Sequence, residues 1–322
     1  MPNPDSSGWM SLMLGTPFEP QRATSVEEIP AIRAGYDLSH NHVDMPPLAD
    51  LRTDVVLWEG DGRRLTAEVY VPEGDGPFPV LVYFHGGAFC VADAFSVRRP
   101  VTRLAAGAEF IAVNVDYALA PEHPFPTAVG DAVYACRWAA REAAALGGDP
   151  NRIFVSGDSA GANLSAVCIH ELHGDGGGVD GRDLADVEVT ISGALLYWGL
   201  FDFPRAIMNP GSNRLSADVW WYQAYLGVTW LDHHESPLVS PRRSPYLDRF
   251  PPTYLTVGSE DSLVDQTFDM ASALCAANVS TTVSVVPDVD HAFHYVEHKI
   301  PEAVTPEMER NIAWLRSVAA ES

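Results

Sequence analysis

The sequence predicts an α/β fold: a mostly parallel central sheet flanked by helices, with a helical cap over the strand ends. Three observations predict it. Short, nearly continuous apolar runs recur along the chain. Helical periodicities separate several of them. One aromatic-rich stretch interrupts the alternation without a clear strand of its own. At 322 residues, 47% of them hydrophobic, the chain carries enough apolar surface for one large domain.

Taken in order, residues 1–50 are polar and proline-containing, with one helical stretch near Val26–Tyr36 whose start Pro30 blurs. Arg52–Trp58 and Leu65–Val71 are alternating and β-branched around Gly60-Asp61-Gly62, which reads as a hairpin of two early strands. The runs Val80–Phe84, Phe110–Val115, Ile153–Ser156, Gly193–Trp198, Thr253–Val257 and Thr281–Val286 fit strands buried on both faces of a parallel sheet. Leu164, Val167, Cys168 and Leu172 share one helix face, as do Leu263, Thr267, Phe268, Ala271 and Leu274. Met308, Ile312, Leu315 and Ala319 mark a C-terminal helix. Phe201–Tyr246, with Trp220, Trp221, Tyr222, Tyr225 and Trp230, reads as a helical insertion. The resulting plan is an N-terminal cap segment at 1–50 and a main domain at 51–322, with a cap insertion at about 201–246.

Charge narrows the partners. Twenty Lys+Arg against 43 Asp+Glu give a net charge of −23, and Lys299 is the single lysine. Such a chain repels phosphate backbones and acidic membrane surfaces, so nucleic acid and membrane partners are excluded. Cys90, Cys136, Cys168 and Cys275 are far apart, form no C-x-x-C pair and read as buried thiols. No apolar run approaches the ~18 residues of a bilayer span. Residues 1–50 show no basic and apolar leader pattern. The expectation is a soluble, cytoplasmic protein.

Chemistry enters at Ile153–Gly161. A buried strand runs into Gly157-Asp158-Ser159-Ala160-Gly161 and then a helix. A serine on a tight strand-to-helix turn holds its hydroxyl above the sheet, and small flanking residues avoid clashes there. The helix beginning at Ala160 directs its N–H groups to the same spot. His85-Gly86-Gly87-Ala88-Phe89 follows the run Val80–Phe84, and a Gly-Gly turn lets backbone N–H groups approach a substrate. Gly86, Gly87 and Ala160 are the expected oxyanion donors, Phe89 a pocket residue, and His85 a structural support of the loop. An acid and then a histidine should follow the serine. Asp261 lies just past the run Thr253–Val257, with Glu260 as a competitor and Asp265, expected one turn into the following helix, as another. His291 follows the run Thr281–Val286, with His294 as its neighbour and rival.

In combination and order, these residues resemble the hormone-sensitive-lipase-like group of α/β-hydrolases. The resemblance also rests on Asp116-Tyr117-Ala118-Leu119-Ala120-Pro121-Glu122 and runs from about Val55 to Trp314. It implies an α/β-hydrolase fold and a triad of Ser159, Asp261 and His291. It further implies a cap built from the N-terminal segment and the insertion. The implied activity is carboxylic ester hydrolysis on small- to medium-sized acyl or aryl esters, without a cofactor; a homodimer is common in the group. The same constellation also serves amide, formamide, carbamate or lactone cleavage. A small-molecule receptor on this fold is a third reading, against which His291 stands in place. Three positions depart from the family pattern: Ala88 for the third glycine, Ala118 for an arginine and Ser262 for a proline. Gly176–Gly181 satisfies G-x-G-x-x-G, but it follows a helix and neighbours Asp175, Asp180 and Asp183, so it reads as a surface loop.

Overall fold

The computed structural model describes residues 25–34, 36, 38–174, 182–204, 215–227 and 230–322. Gly176–Gly181 lies outside them, as do residues 1–24 and 205–214 of the two expected cap segments. Eight strands form one sheet: β1 (Asp50–Gly60), β2 (Arg63–Val71), β3 (Phe78–Phe84), β4 (Ile111–Asp116), β5 (Gly148–Asp158), β6 (Ile191–Tyr197), β7 (Thr253–Gly258) and β8 (Thr281–Val286). Their spatial order is β1-β2-β4-β3-β5-β6-β7-β8. The early hairpin supplies the antiparallel pairs β1–β2 and β2–β4, and every other pair is parallel.

Helices cover both faces because each central strand is apolar on both. Along β3, Val80, Val82 and Phe84 enter one core with α3 (Thr127–Leu146) and α4 (Ala160–His173). Leu81 and Tyr83 enter the opposite core with α2 (Arg98–Ala108) and α8 (Pro301–Glu321). This is the period-2 side-chain alternation of a strand buried on both faces. The stripe Met308, Ile312, Leu315 and Ala319 faces that second core as the spacing requires. Helix α1 (Ile29–Ala34) follows a 3-10 turn at Val26–Glu28. Pro30 is its second residue, where a missing N–H costs no helical hydrogen bond. The described part of the insertion holds α5 (Leu215–Leu226) and α6 (Trp230–His233) and no strand.

Four expectations are corrected. Strand β8 ends the sheet, so its outer residues Val283 and Val285 are exposed rather than buried on both faces. On α7 (Val264–Ala276) the buried stripe is Thr267, Met270, Ala271 and Leu274, and Phe268 falls outside it at 49% exposure. Cys275, in the last turn of α7, is exposed, whereas Cys90, Cys136 and Cys168 are buried. Asp265 is the second residue of α7, not one turn inside it. Among the described residues no helix is long and apolar enough to cross a membrane.

The arginine missing at Ala118 is answered from elsewhere in the chain. Asp131, with no exposed side-chain surface, accepts two hydrogen bonds from Arg63 at 2.7 and 2.9 Å and one from Arg182 at 3.0 Å. The Ala118 N–H donates to the same carboxylate at 3.0 Å. A buried carboxylate needs such partners, since stripping one leaves an uncompensated charge.

Candidate active site

The parallel strands all end on one edge, and the functional side chains sit on the loops leaving that edge. Ser159 occupies the sharp turn between β5 and α4 at φ 54° and ψ −114°. A serine pays strain to hold this left-handed conformation. The turn is fixed by the Ser159 N–H, which donates to the Tyr197 carbonyl of β6 at 2.9 Å. The motif's flanking glycine at Gly161 is sterically required: a Cβ there would lie 1.8 Å from the Phe84 carbonyl oxygen of β3.

Asp261 and His291 reach Ser159 from the loops after β7 and β8. His291 Nε2 lies 3.1 Å from Ser159 Oγ, and His291 Nδ1 lies 2.8 Å from Asp261 Oδ2. Both distances are within reach for proton transfer or orientation. Asp261 Oδ1 accepts the Leu263 N–H at 2.8 Å, so the carboxylate itself braces the turn in which Ser262 replaces proline. Burial by itself pushes the His291 imidazole down, but the charge and hydrogen bond of Asp261 outweigh it, and the net position is above the ordinary histidine value.

The competitors are elsewhere. Glu260 is exposed and hydrogen-bonds with Ser259. His294 is buried and packs edge-to-face on Tyr197, Trp198 and Tyr295. Burial holds it well below the usual histidine range, and its ring nitrogens have no hydrogen-bond partner among the described residues. His85 is a support for its loop. Its ring stacks on Tyr117 at 4.2 Å, its Nδ1 lies 2.7 Å from the Gly86 carbonyl, and burial lowers it to about 4.

The oxyanion turn differs from the expected assignment at its first glycine. The Gly86 N–H donates to Asp158 Oδ1 at 3.1 Å. It is therefore already committed. Asp158 is buried beneath the turn and also accepts from Tyr83 at 2.9 Å and Tyr295 at 2.8 Å. Burial raises its carboxyl to about 6, opposed by the hydrogen bonds of Tyr295 and Tyr83. The sequence assigns no role to Asp158 or to the two tyrosines. Only the place of Asp158 beside Ser159 could have signalled it, because tyrosines from β3 and the His291 loop meet it only in three dimensions. Along the turn, Gly87, Ala88 and Phe89 have φ of 111°, 52° and 64°. The Gly87 and Ala88 N–H groups have no acceptor among the described residues, and the Ala160 N–H, at the first position of α4, has no partner within its helix. Phe89 is 2% exposed and buried under Tyr225, so it does not line a pocket as expected.

A hydroxyl shared with an oriented imidazole, on the rim of a turn rich in free N–H groups, is apparatus for acyl transfer. Fold and site together define a serine carboxylic ester hydrolase. Comparison with known proteins agrees. A family described as having the alpha/beta hydrolase fold matches residues 81–295. Carboxylesterase NlhH of Mycobacterium tuberculosis is 35% identical over 231 residues, covering 70% of this chain and 69% of NlhH. Ethyl acetate hydrolase of Pseudomonas putida is 30% identical, covering 79% of each chain. Among solved structures, a hyperthermophilic esterase from the archaeon Pyrobaculum calidifontis superposes with a TM-score of 0.76 at 27% identity, covering 90% of this chain and 91% of its own. The chain belongs to the hormone-sensitive-lipase-like group of the α/β-hydrolase family.

Proposed function

We propose that this chain hydrolyses short- to medium-chain acyl or aryl esters through an acyl-enzyme on Ser159. The observation that carries the proposal is the continuous chain from Asp261 Oδ2 through His291 to Ser159 Oγ, with separations of 2.8 and 3.1 Å. Ser159 Oγ attacks the ester carbonyl carbon while His291 Nε2 takes its proton. Asp261 holds the ring and stabilises the imidazolium. The tetrahedral oxyanion is held by the N–H groups of Gly87, Ala88 and Ala160. Gly86 is not in this set, since its N–H is committed to Asp158. Collapse breaks the bond to the alcohol oxygen, which leaves with the proton from His291. Water then adds to the acyl-enzyme with the same base accepting its proton, and carboxylic acid and Ser159 are released. The modest acyl size draws support from the similarity to an ethyl acetate hydrolase.

A fluorophosphonate is the direct probe. One equivalent should attach to wild-type protein, and peptide mass mapping should place it on Ser159. Label on another residue, or none, overturns the assignment. Among p-nitrophenyl acetate, butyrate, octanoate and dodecanoate, kcat/KM should fall by the dodecanoate; a rise through to it overturns the chain-length assignment.

The same proposal divides the chain into a cap made of residues 1–50 and about 201–246 and a hydrolase domain over the rest of 51–322. It places the enzyme in the cytoplasm, supported by the four free thiols. It also includes a homodimer paired through the open edge of β8, supported by Val283 at 38% and Val285 at 39% exposure on that edge. Light scattering behind a sizing column should give twice the chain mass, and Val283→Lys with Val285→Lys should halve it. A wild-type monomer removes the dimer from the proposal.

A further inference from the structure

The oxyanion turn is strained in isolation. Gly87, Ala88 and Phe89 are consecutive left-handed residues, and two of them carry a Cβ. Something outside the turn must hold them. Backbone bonds to the Gly87 carbonyl from Cys90 and Val91, each at 2.9 Å, close the turn from within. Phe89 and Cys90 are gripped from two other parts of the chain. On one side, Arg33 of α1 donates to the Cys90 carbonyl and to the Ala120 carbonyl at 2.6 Å each, while Glu122 holds the same guanidinium at 2.8 and 3.0 Å. The Ala120 N–H completes this side by donating to the Phe89 carbonyl at 2.9 Å.

On the other side stands α5. The Tyr225 ring lies parallel to the Phe89 ring, with centroids 3.8 Å apart and 5° between planes. Tyr225 is itself immobilised. It is 1% exposed, and its carbonyl accepts the Phe125 N–H at 2.7 Å. Face-to-face contact over a whole ring resists rotation and sliding of Phe89. The Phe89 backbone is the last of the three left-handed residues, so a displacement of its ring that carries the Cα with it also shifts the preceding residues and the Ala88 N–H.

We propose that Tyr225 is a positioning residue for the reaction: its stack on Phe89 keeps the Gly87 and Ala88 N–H groups aimed at the oxyanion. The proposal rests on the acyl-enzyme reading above. It makes the seating of α5 part of the assembly of the oxyanion site. The phenol hydroxyl has no part in this. It is buried without a hydrogen-bond partner among the described residues, and the ring plane is what acts.

The test is steady-state kinetics on p-nitrophenyl acetate with two substitutions. Tyr225→Phe keeps the plane and should stay within about twofold of wild type. Tyr225→Leu keeps apolar bulk but loses the plane. It should lose on the order of tenfold to a hundredfold in kcat, within the range seen when an oxyanion donor is misplaced or lost, with KM changed less than about threefold. The inhibition constant of a trifluoromethyl ketone, which forms an oxyanion on the serine, should weaken by the same factor as kcat. Phe89→Leu removes the same stack from the loop side, and the double variant should lose no more than either single one. It also serves if Tyr225→Leu does not fold. A Tyr225→Leu enzyme with wild-type kcat and only a lower Tm, or with a raised KM alone, overturns the proposal. Failure of the underlying acyl-enzyme reading looks different: wild-type protein would then take no fluorophosphonate on Ser159.

Discussion

Ser159→Ala should reduce kcat on p-nitrophenyl acetate by on the order of a million-fold while leaving Tm within a few degrees of wild type. The physical reason is that the variant keeps the fold, the oxyanion N–H groups and the imidazole, but has no atom to form the acyl bond. The side-chain partner of Ser159 Oγ is His291 Nε2 at 3.1 Å, so removing the hydroxyl strips little from the structure. His291→Ala should lose nearly as much, because a neutral serine hydroxyl is a weak nucleophile without a base. The double variant should be no worse than either single one, since the two act as a unit. His294→Ala should stay within tenfold of wild type, as its ring lies in the core against Trp198 and Tyr197. Wild-type rates from purified Ser159→Ala, or a dead His294→Ala beside an active His291→Ala, would move the site.

The second large effect belongs to Asp261→Asn. Ester hydrolysis needs His291 neutral, so the rate falls as pH drops through the imidazole's own pKa. That pKa is raised in the folded protein, which puts the acid limb above the ordinary histidine value of about 6.5. The raising comes from the Asp261 charge and hydrogen bond working against burial. With asparagine that charge is gone, and burial is opposed only by the smaller effects of the Asp290 and Asp158 charges. The pKa then falls, and the acid limb of kcat/KM moves to lower pH. The plateau should drop on the order of ten-thousand-fold, because the imidazolium formed on proton transfer loses its counter-charge and the ring its correct tautomer. A pH profile with an unmoved acid limb and a plateau within tenfold of wild type would show that Asp261 does not serve His291.

The site was legible in sequence to the extent that its parts are local. Ser159 is marked by its small neighbours, because the strand-to-helix turn admits nothing larger at Gly161. Asp261 and His291 are marked by position, each just past an apolar run. The glycine turn was visible, but not which N–H groups of it are free. That depends on Asp158, whose carboxylate meets Gly86 only because β3 and β5 are neighbours in the sheet. The Gly-Gly pattern accordingly points to Gly86 as a donor, whereas the folded chain commits its N–H to Asp158. Phe89 was misread for a similar reason: its burial is decided by Tyr225, more than a hundred positions away in the chain.

By itself, the sequence determined the layered α/β plan, the early hairpin and the order of the chemical motifs. These follow from side-chain period, turn residues and strand length, which act between near neighbours. It also determined the excess of acidic over basic residues, 43 Asp+Glu against 20 Lys+Arg. Only the tertiary structure decided which residues hold the reactive ones. Arg63 and Arg182 converge on Asp131 beside Ala118, Tyr83 and Tyr295 meet on Asp158, and Arg33 and Tyr225 grip the oxyanion turn from opposite sides. Each of these contacts joins segments brought together by the packing of helices on the sheet. No local pattern encodes them, because a hydrogen bond or a ring stack fixes the distance between two side chains and leaves the length of chain between them free.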